Sequence, residues 1–73
     1  MLDHSVVLFY STTHALRAEK VLDRAGVRIK MIPTPRQISS DCGMALRFDR
    51  AEEERVAAIL AENQVPTNGI YPI

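Results

Sequence analysis

The sequence has no tryptophan, a single cysteine, three glycines and no net charge, and each shortage removes a class of protein. One cysteine cannot close an internal disulfide, which fits a reducing compartment and leaves a thiol free for intermolecular chemistry. The glycines stand apart at Gly26, Gly43 and Gly69, so no glycine-rich phosphate loop exists. Zero net charge gives the chain as a whole no electrostatic case for nucleic acid or an anionic membrane. Two tyrosines and two phenylalanines do not form the stacking pattern of a sheet-surface RNA binder. No apolar run nears the roughly 18 residues of a membrane helix, and Met1-Leu2-Asp3-His4 lacks the basic start and apolar stretch of a signal peptide. The expectation is a cytoplasmic protein with no nucleic-acid or membrane partner.

What is present describes one small globular domain over 1–73. A chain this short buries only about 60% of the surface its unfolded form exposes, so self-association as a homodimer would help it. Charge is unevenly distributed. Residues 1–23 sum to −1, residues 24–50 to +4 and residues 51–73 to −3. The basic middle holds the cysteine, a setting that favours a thiolate and small anions. The plainer alternative is that its arginines are solvated side chains with no shared target.

Val6-Val7-Leu8-Phe9-Tyr10 is a nearly continuous apolar run and reads as a central buried strand. Ser11, Thr12 and Thr13 offer hydroxyl caps for a helix that runs to Ala25, with Gly26 as its stop. Ala15, Ala18, Leu22 and Ala25, joined by Val21, form its inner stripe. Val27, Ile29 and Met31 alternate with Arg28 and Lys30 as a second strand; Met44, Leu46 and Phe48 alternate with Ala45, Arg47 and Asp49 as a third. Asp49 is placed to cap a second helix from about Arg50 to Asn63. Its first turn carries Glu52, Glu53 and Glu54, and its inner stripe is Val56, Ile59, Leu60 and Asn63 with Ala57. Pro66-Thr67-Asn68-Gly69 makes a turn, and Ile70-Tyr71-Pro72-Ile73 a short edge strand. The order β-α-β-β-α-β implies an α+β, ferredoxin-like domain with both helices on one face of an antiparallel four-stranded sheet.

Strands one and three are neighbours in that topology, so the start of the third lies beside the end of the first. Pro33-Thr34-Pro35-Arg36-Gln37-Ile38-Ser39-Ser40-Asp41-Cys42-Gly43 then becomes the connection of interest. Its prolines stiffen the exit from strand two, and Gly43 lets backbone approach the sulfur. Cys42 shares the phase of Met44, Leu46 and Phe48, which places it near Ser11-Thr12-Thr13-His14 at the positive end of the first helix, a setting that depresses a thiol pKa. Asp41 opposes this if its carboxylate faces the sulfur. Cys42 reads equally as a small apolar filler, His14 as a polar residue of a first turn, and Ser39-Ser40 as turn caps. His4, His14 and Cys42 lack metal-ligand spacing, and no third group orients a Cys-His pair, so a stand-alone enzyme is not indicated.

The chain resembles a family of selenium/sulfur carrier-like proteins. The likeness is carried by Phe9 through Leu16, by Glu19-Lys20, and above all by Ile32-Pro33-Thr34-Pro35-Arg36-Gln37-Ile38-Ser39-Ser40-Asp41-Cys42-Gly43-Met44-Ala45-Leu46-Arg47. Thr34 and Gln37 depart from the commoner valine and glutamate. The resemblance implies that Cys42 holds sulfur or selenium as a persulfide or selenosulfide, passed from a cysteine desulfurase-like donor to an acceptor, with no cofactor. Backbone N–H groups, the hydroxyls of Thr12, Thr13, Ser39 and Ser40, and the charge of Arg36 are then the expected stabilisers of the anionic terminal atom, with His14 and Gly43 beside them. The alternatives are a noncatalytic ferredoxin-like binding or regulatory module, and a cysteine redox sensor.

Overall fold

A computed structural model describes residues 3–38 and 43–73. The elements are β1 (His4–Leu8), α1 (Thr12–Arg24), β2 (Ile29–Pro33), β3 (Met44–Asp49), a 3-10 turn (Arg50–Glu52), α2 (Glu53–Glu62) and β4 (Ile70–Pro72). The four strands form one antiparallel sheet in the order β2-β3-β1-β4. This is the expected ferredoxin-like arrangement, and β4 does lie at an edge. In register, His4 faces Asp49 and Leu8 faces Ala45 across β1 and β3, while Ile29 faces Phe48 across β2 and β3.

Alternation of side chains along the strands divides the apolar residues between two faces. Val7, Leu46 and Phe48 join Ala15, Ala18, Leu22, Val56 and Leu60 in the main core between sheet and helices. On the other face Val6, Leu8 and Ala45 are also fully buried, covered by Ile32, Ile38 and Ile73. β1 is thus apolar on both sides, as its unbroken run predicts. Ser5 is the exception on the helix side: it is completely buried, and its hydroxyl donates to Glu53 Oε1 at 2.9 Å, tying the sheet to the start of α2.

Both helices end in the same way. After α1, the Gly26 N–H donates to Asp23 O and the Val27 N–H to Leu22 O; after α2, the Gln64 N–H donates to Ala61 O and the Val65 N–H to Leu60 O. These are Schellman pairs, with a buried valine just beyond each left-handed residue. Val27 therefore belongs to the cap of α1, and β2 starts two residues later than the alternation of Val27, Ile29 and Met31 suggests. The left-handed position is Gly26 in one case, at φ 81°, and Gln64 in the other, at φ 56°.

Each helix end is also held by an arginine of the other helix. Arg17 Nη2 donates to the Asn63 carbonyl at 2.8 Å, and Arg55 Nη2 to the Ala25 carbonyl at 2.6 Å. A cation at a helix C-terminus offsets the negative end of the dipole, and antiparallel helices let the two do so reciprocally.

Three expectations need correction. Asp49 makes no side-chain cap bond. As the last residue of β3 it shares the face of Ala45 and Arg47, away from the helices, and its carboxylate lies 3.8 Å from His4 Nε2 instead; the chain enters α2 through the 3-10 turn. Ala57 and Asn63 are exposed, because the inner stripe of α2 narrows to Val56 and Leu60 with Ile59 beside them. β1 ends at Leu8: Phe9 is fully buried in the main core past the last paired residue, and Tyr10 is exposed.

The two caps give opposite expectations for substitution. Gln64→Gly removes the steric cost of a left-handed L-residue and should stabilise the protein by up to about 1 kcal/mol, whereas Gly26→Ala should destabilise it by about 1 kcal/mol or more. Urea unfolding of both variants checks the signs.

Candidate site at the sheet end beside the first helix

Four segments meet at one end of the sheet, and sequence dictates how each arrives. β1 stops at Leu8, Ser11 turns the chain, and α1 begins at Thr12. Ser11 sits in extended backbone, as a capping residue must, and its Oγ accepts the His14 N–H at 3.3 Å. Antiparallel register then brings the first residues of β3 to this same end, since Ala45 faces Leu8. The long β2–β3 connection is closed at its base by a hydrogen bond from the Thr34 N–H to the Gly43 carbonyl at 3.0 Å. On the far side of β1, the Leu8 N–H donates to Gly69 O and the Asn68 N–H to Leu8 O, pinning the turn before β4 to the end of the strand.

Thr12 and Thr13 are the first two residues of α1 and both are exposed. Thr13 also borders a shallow groove with Leu16, Arg17 and Lys20. His14 is half-buried, and its Nδ1 is fully enclosed with no hydrogen-bond partner among the described residues. An orphaned buried nitrogen is uncommon, because it forfeits its hydration without compensation. Gly43 is exposed, with its carbonyl in the bond that closes the loop. Thr12, Thr13, His14 and Gly43 thus belong to one end of the sheet, as the topology requires.

Arg36 is carried by a different segment, the β2–β3 connection. It lies in the turn in which the Ile38 N–H donates to Pro35 O at 3.0 Å, and that turn delivers Ile38 onto Val6, Leu8 and Ala45, on the face away from the helices. Arg36 is exposed and forms no ion pair among the described residues. The physical reason for the turn's course is the apolar surface of β1: with Val6 and Leu8 on the open face, the loop folds down to cover them. An isolated isoleucine in a polar loop has no periodicity to announce this. Ser39, Ser40 and Cys42 lie outside the described residues.

Sequence reasoning did not find the enclosed Nδ1 of His14. Its only signal is position: the third residue of an N-capped helix points its side chain back over the preceding turn. Among the described residues no group of three or more His, Cys, Asp or Glu side chains is arranged to hold a metal ion, and no helix is long and apolar enough to cross a membrane.

If Ser11 holds the first turn in place, Ser11→Ala should cost about 1 kcal/mol in urea unfolding and increase amide exchange at His14.

The family model described as "Putative Se/S carrier protein-like" matches residues 4–72, nearly the whole chain. No curated protein and no solved structure matches.

Proposed function

The chain belongs to the Se/S carrier protein-like family, and from that premise we propose that Cys42 carries sulfur or selenium, as a persulfide or selenosulfide, between a donor enzyme and an acceptor. The family match carries this reading; the geometry of the sheet end supports it. Chain connectivity alone keeps the Cα of Cys42 about 3.8 Å from that of Gly43, and Gly43 sits where β3 begins, at the end of the sheet from which α1 departs.

The chemistry is an exchange that needs no outside oxidant. The Cys42 thiolate attacks the terminal sulfur of a persulfide on the donor; a new S–S bond forms on Cys42, the donor's S–S bond breaks, and the donor cysteine leaves as a thiolate that takes up the proton Cys42 released. Passage to the acceptor repeats the step in the other direction. The protein's task is to keep sulfur nucleophilic before loading and the terminal atom stable after it. Amides at the start of α1 fall outside the intrahelical ladder and lie at the positive end of the dipole. The hydroxyls of Thr12 and Thr13 stand with them, and Ser39, Ser40 and Arg36 complete the proposed set. His14, with its enclosed and unpartnered Nδ1, is assigned the role of proton acceptor or donor toward the sulfur.

A relay of this kind depends on docking more than on a pocket. Its partners are a cysteine desulfurase-like donor and an acceptor protein, in a reducing compartment for which the cytoplasm is the natural setting.

Incubation with a persulfide donor should add about one sulfur atom's mass to the intact protein by mass spectrometry, and Cys42→Ser should abolish the gain. A wild-type mass unchanged by the donor contradicts the reading.

A further inference from the structure

The face of the sheet away from the helices carries a concentration of positive charge that neither the fold nor the proposed relay uses. Lys30 of β2 and Arg47 of β3 are directly opposite in the ladder, so their Cβ atoms stand about 5 Å apart on the same face, and like charges in that relation destabilise a sheet. Arg28, one alternation before Lys30, borders the same open cleft of about 180 Å³ with Lys30, Arg47, His4 and Asp49. Among the described residues, the side chains of Arg28, Lys30 and Arg47 form no hydrogen bond or ion pair. Among the described residues one carboxylate, Asp49, lines the cleft as well, 3.8 Å from His4 Nε2.

The burial pattern sharpens the contrast. Around β1 and the β2–β3 loop the face is apolar and closed over, with Val6, Leu8 and Ala45 packed by Ile32, Ile38 and Ile73. The part over β2 and β3 beyond Ile32 is left open and cationic. Edge strands often carry single lysines to discourage pairing, but that role does not call for three cations lining one cleft, with Arg47 contributed by the neighbouring strand. Three cations to one carboxylate, two of them arginines able to grip oxygen atoms in a bidentate fork, ask for one ligand with several negative oxygens.

We propose that Arg28, Lys30 and Arg47, with His4 at the rim, form a binding site for a compact multivalent oxyanion of the phosphate class. A monovalent anion satisfies one of these cations; a multivalent one bridges the strands and relieves the repulsion between Lys30 and Arg47. Bound and free states therefore differ in sheet stability as well as occupancy. The site is independent of Cys42 chemistry and lies on the other face from α1.

The experiment uses inorganic pyrophosphate, with sodium chloride at matched ionic strength as the screening control, and follows thermal unfolding of the whole chain. Pyrophosphate should raise the midpoint well beyond chloride, saturably. Lys30→Gln and Arg47→Gln should each weaken the half-saturation by about tenfold while leaving the ligand-free midpoint at low salt equal to wild type or higher, because each removes one member of a like-charged pair. Lys20→Gln, on an exposed part of α1, and Cys42→Ser should keep the wild-type response. Equal shifts from pyrophosphate and chloride, no shift at all, or a response that survives both Lys30→Gln and Arg47→Gln would each overturn the proposal. Amide shifts of wild-type protein titrated with pyrophosphate give a second readout, expected at residues 28–30 and 47–49 and fatal to the site if confined elsewhere.

Discussion

The register of β1 against β3 sets what the rest of this molecule can do. With Leu8 opposite Ala45 and His4 opposite Asp49, the exit of β1 and the entry of β3 are fixed at the same end of the sheet. The start of α1 and the end of the β2–β3 connection then become neighbours by construction. A slip of one residue would turn every side chain of one strand to the wrong face. Here the penalty would be severe, since β1 is fully buried on both sides from Ser5 to Leu8. A strand with apolar residues on both faces cannot be displaced without exposing Val6 and Leu8 or Val7, so apolar burial fixes a geometry that chemistry can use.

Around that pairing the helices are fastened at their ends as well as along their buried stripes. Arg17 and Arg55 each reach across to a terminal carbonyl of the other helix, Ser5 reaches from the sheet to Glu53, and both helices stop in Schellman pairs closed by Val27 and Val65. In a domain too small for a large core, contacts that satisfy otherwise orphaned backbone groups contribute in proportion. The same frugality leaves one half of the open face apolar and covered, the other charged and uncovered, two adjoining surfaces of unlike chemistry.

Much of this was legible in the sequence. Periodicity of two in β2 and β3, of about 3.6 in α1 and α2, and the unbroken run of β1 gave the element order, and topology then placed the strand neighbours. Boundaries moved where a residue had two plausible employers. Val27 continues the alternation of β2 but is recruited as the apolar stop of α1, and Asp49 has the identity of a cap but the facing of a strand residue. Ile38 was invisible because one apolar residue in a loop has no partner in sequence to reveal its destination. The reciprocal arginines were equally silent: Arg17 and Arg55 look like ordinary solvated positions until the helices are set antiparallel. At the candidate site, the gathering of Thr12, Thr13, His14 and Gly43 followed from topology alone, whereas the descent of Ile38 onto the open face followed from the burial needs of β1.

Membership of the Se/S carrier protein-like family gives these placements a purpose. A carrier must hold its cargo loosely enough to surrender it, and the start of α1, with the exposed Thr12 and Thr13 and the half-buried His14, is an end of the sheet suited to that task on the proposed reading. The measurement closest to the heart of the account is the pH dependence of Cys42 alkylation by iodoacetamide. A reaction midpoint well below the free-cysteine value of about 8.5 is the result the account predicts. A midpoint at or above that value would contradict it, for the sulfur would then gain nothing from a neighbouring helix terminus.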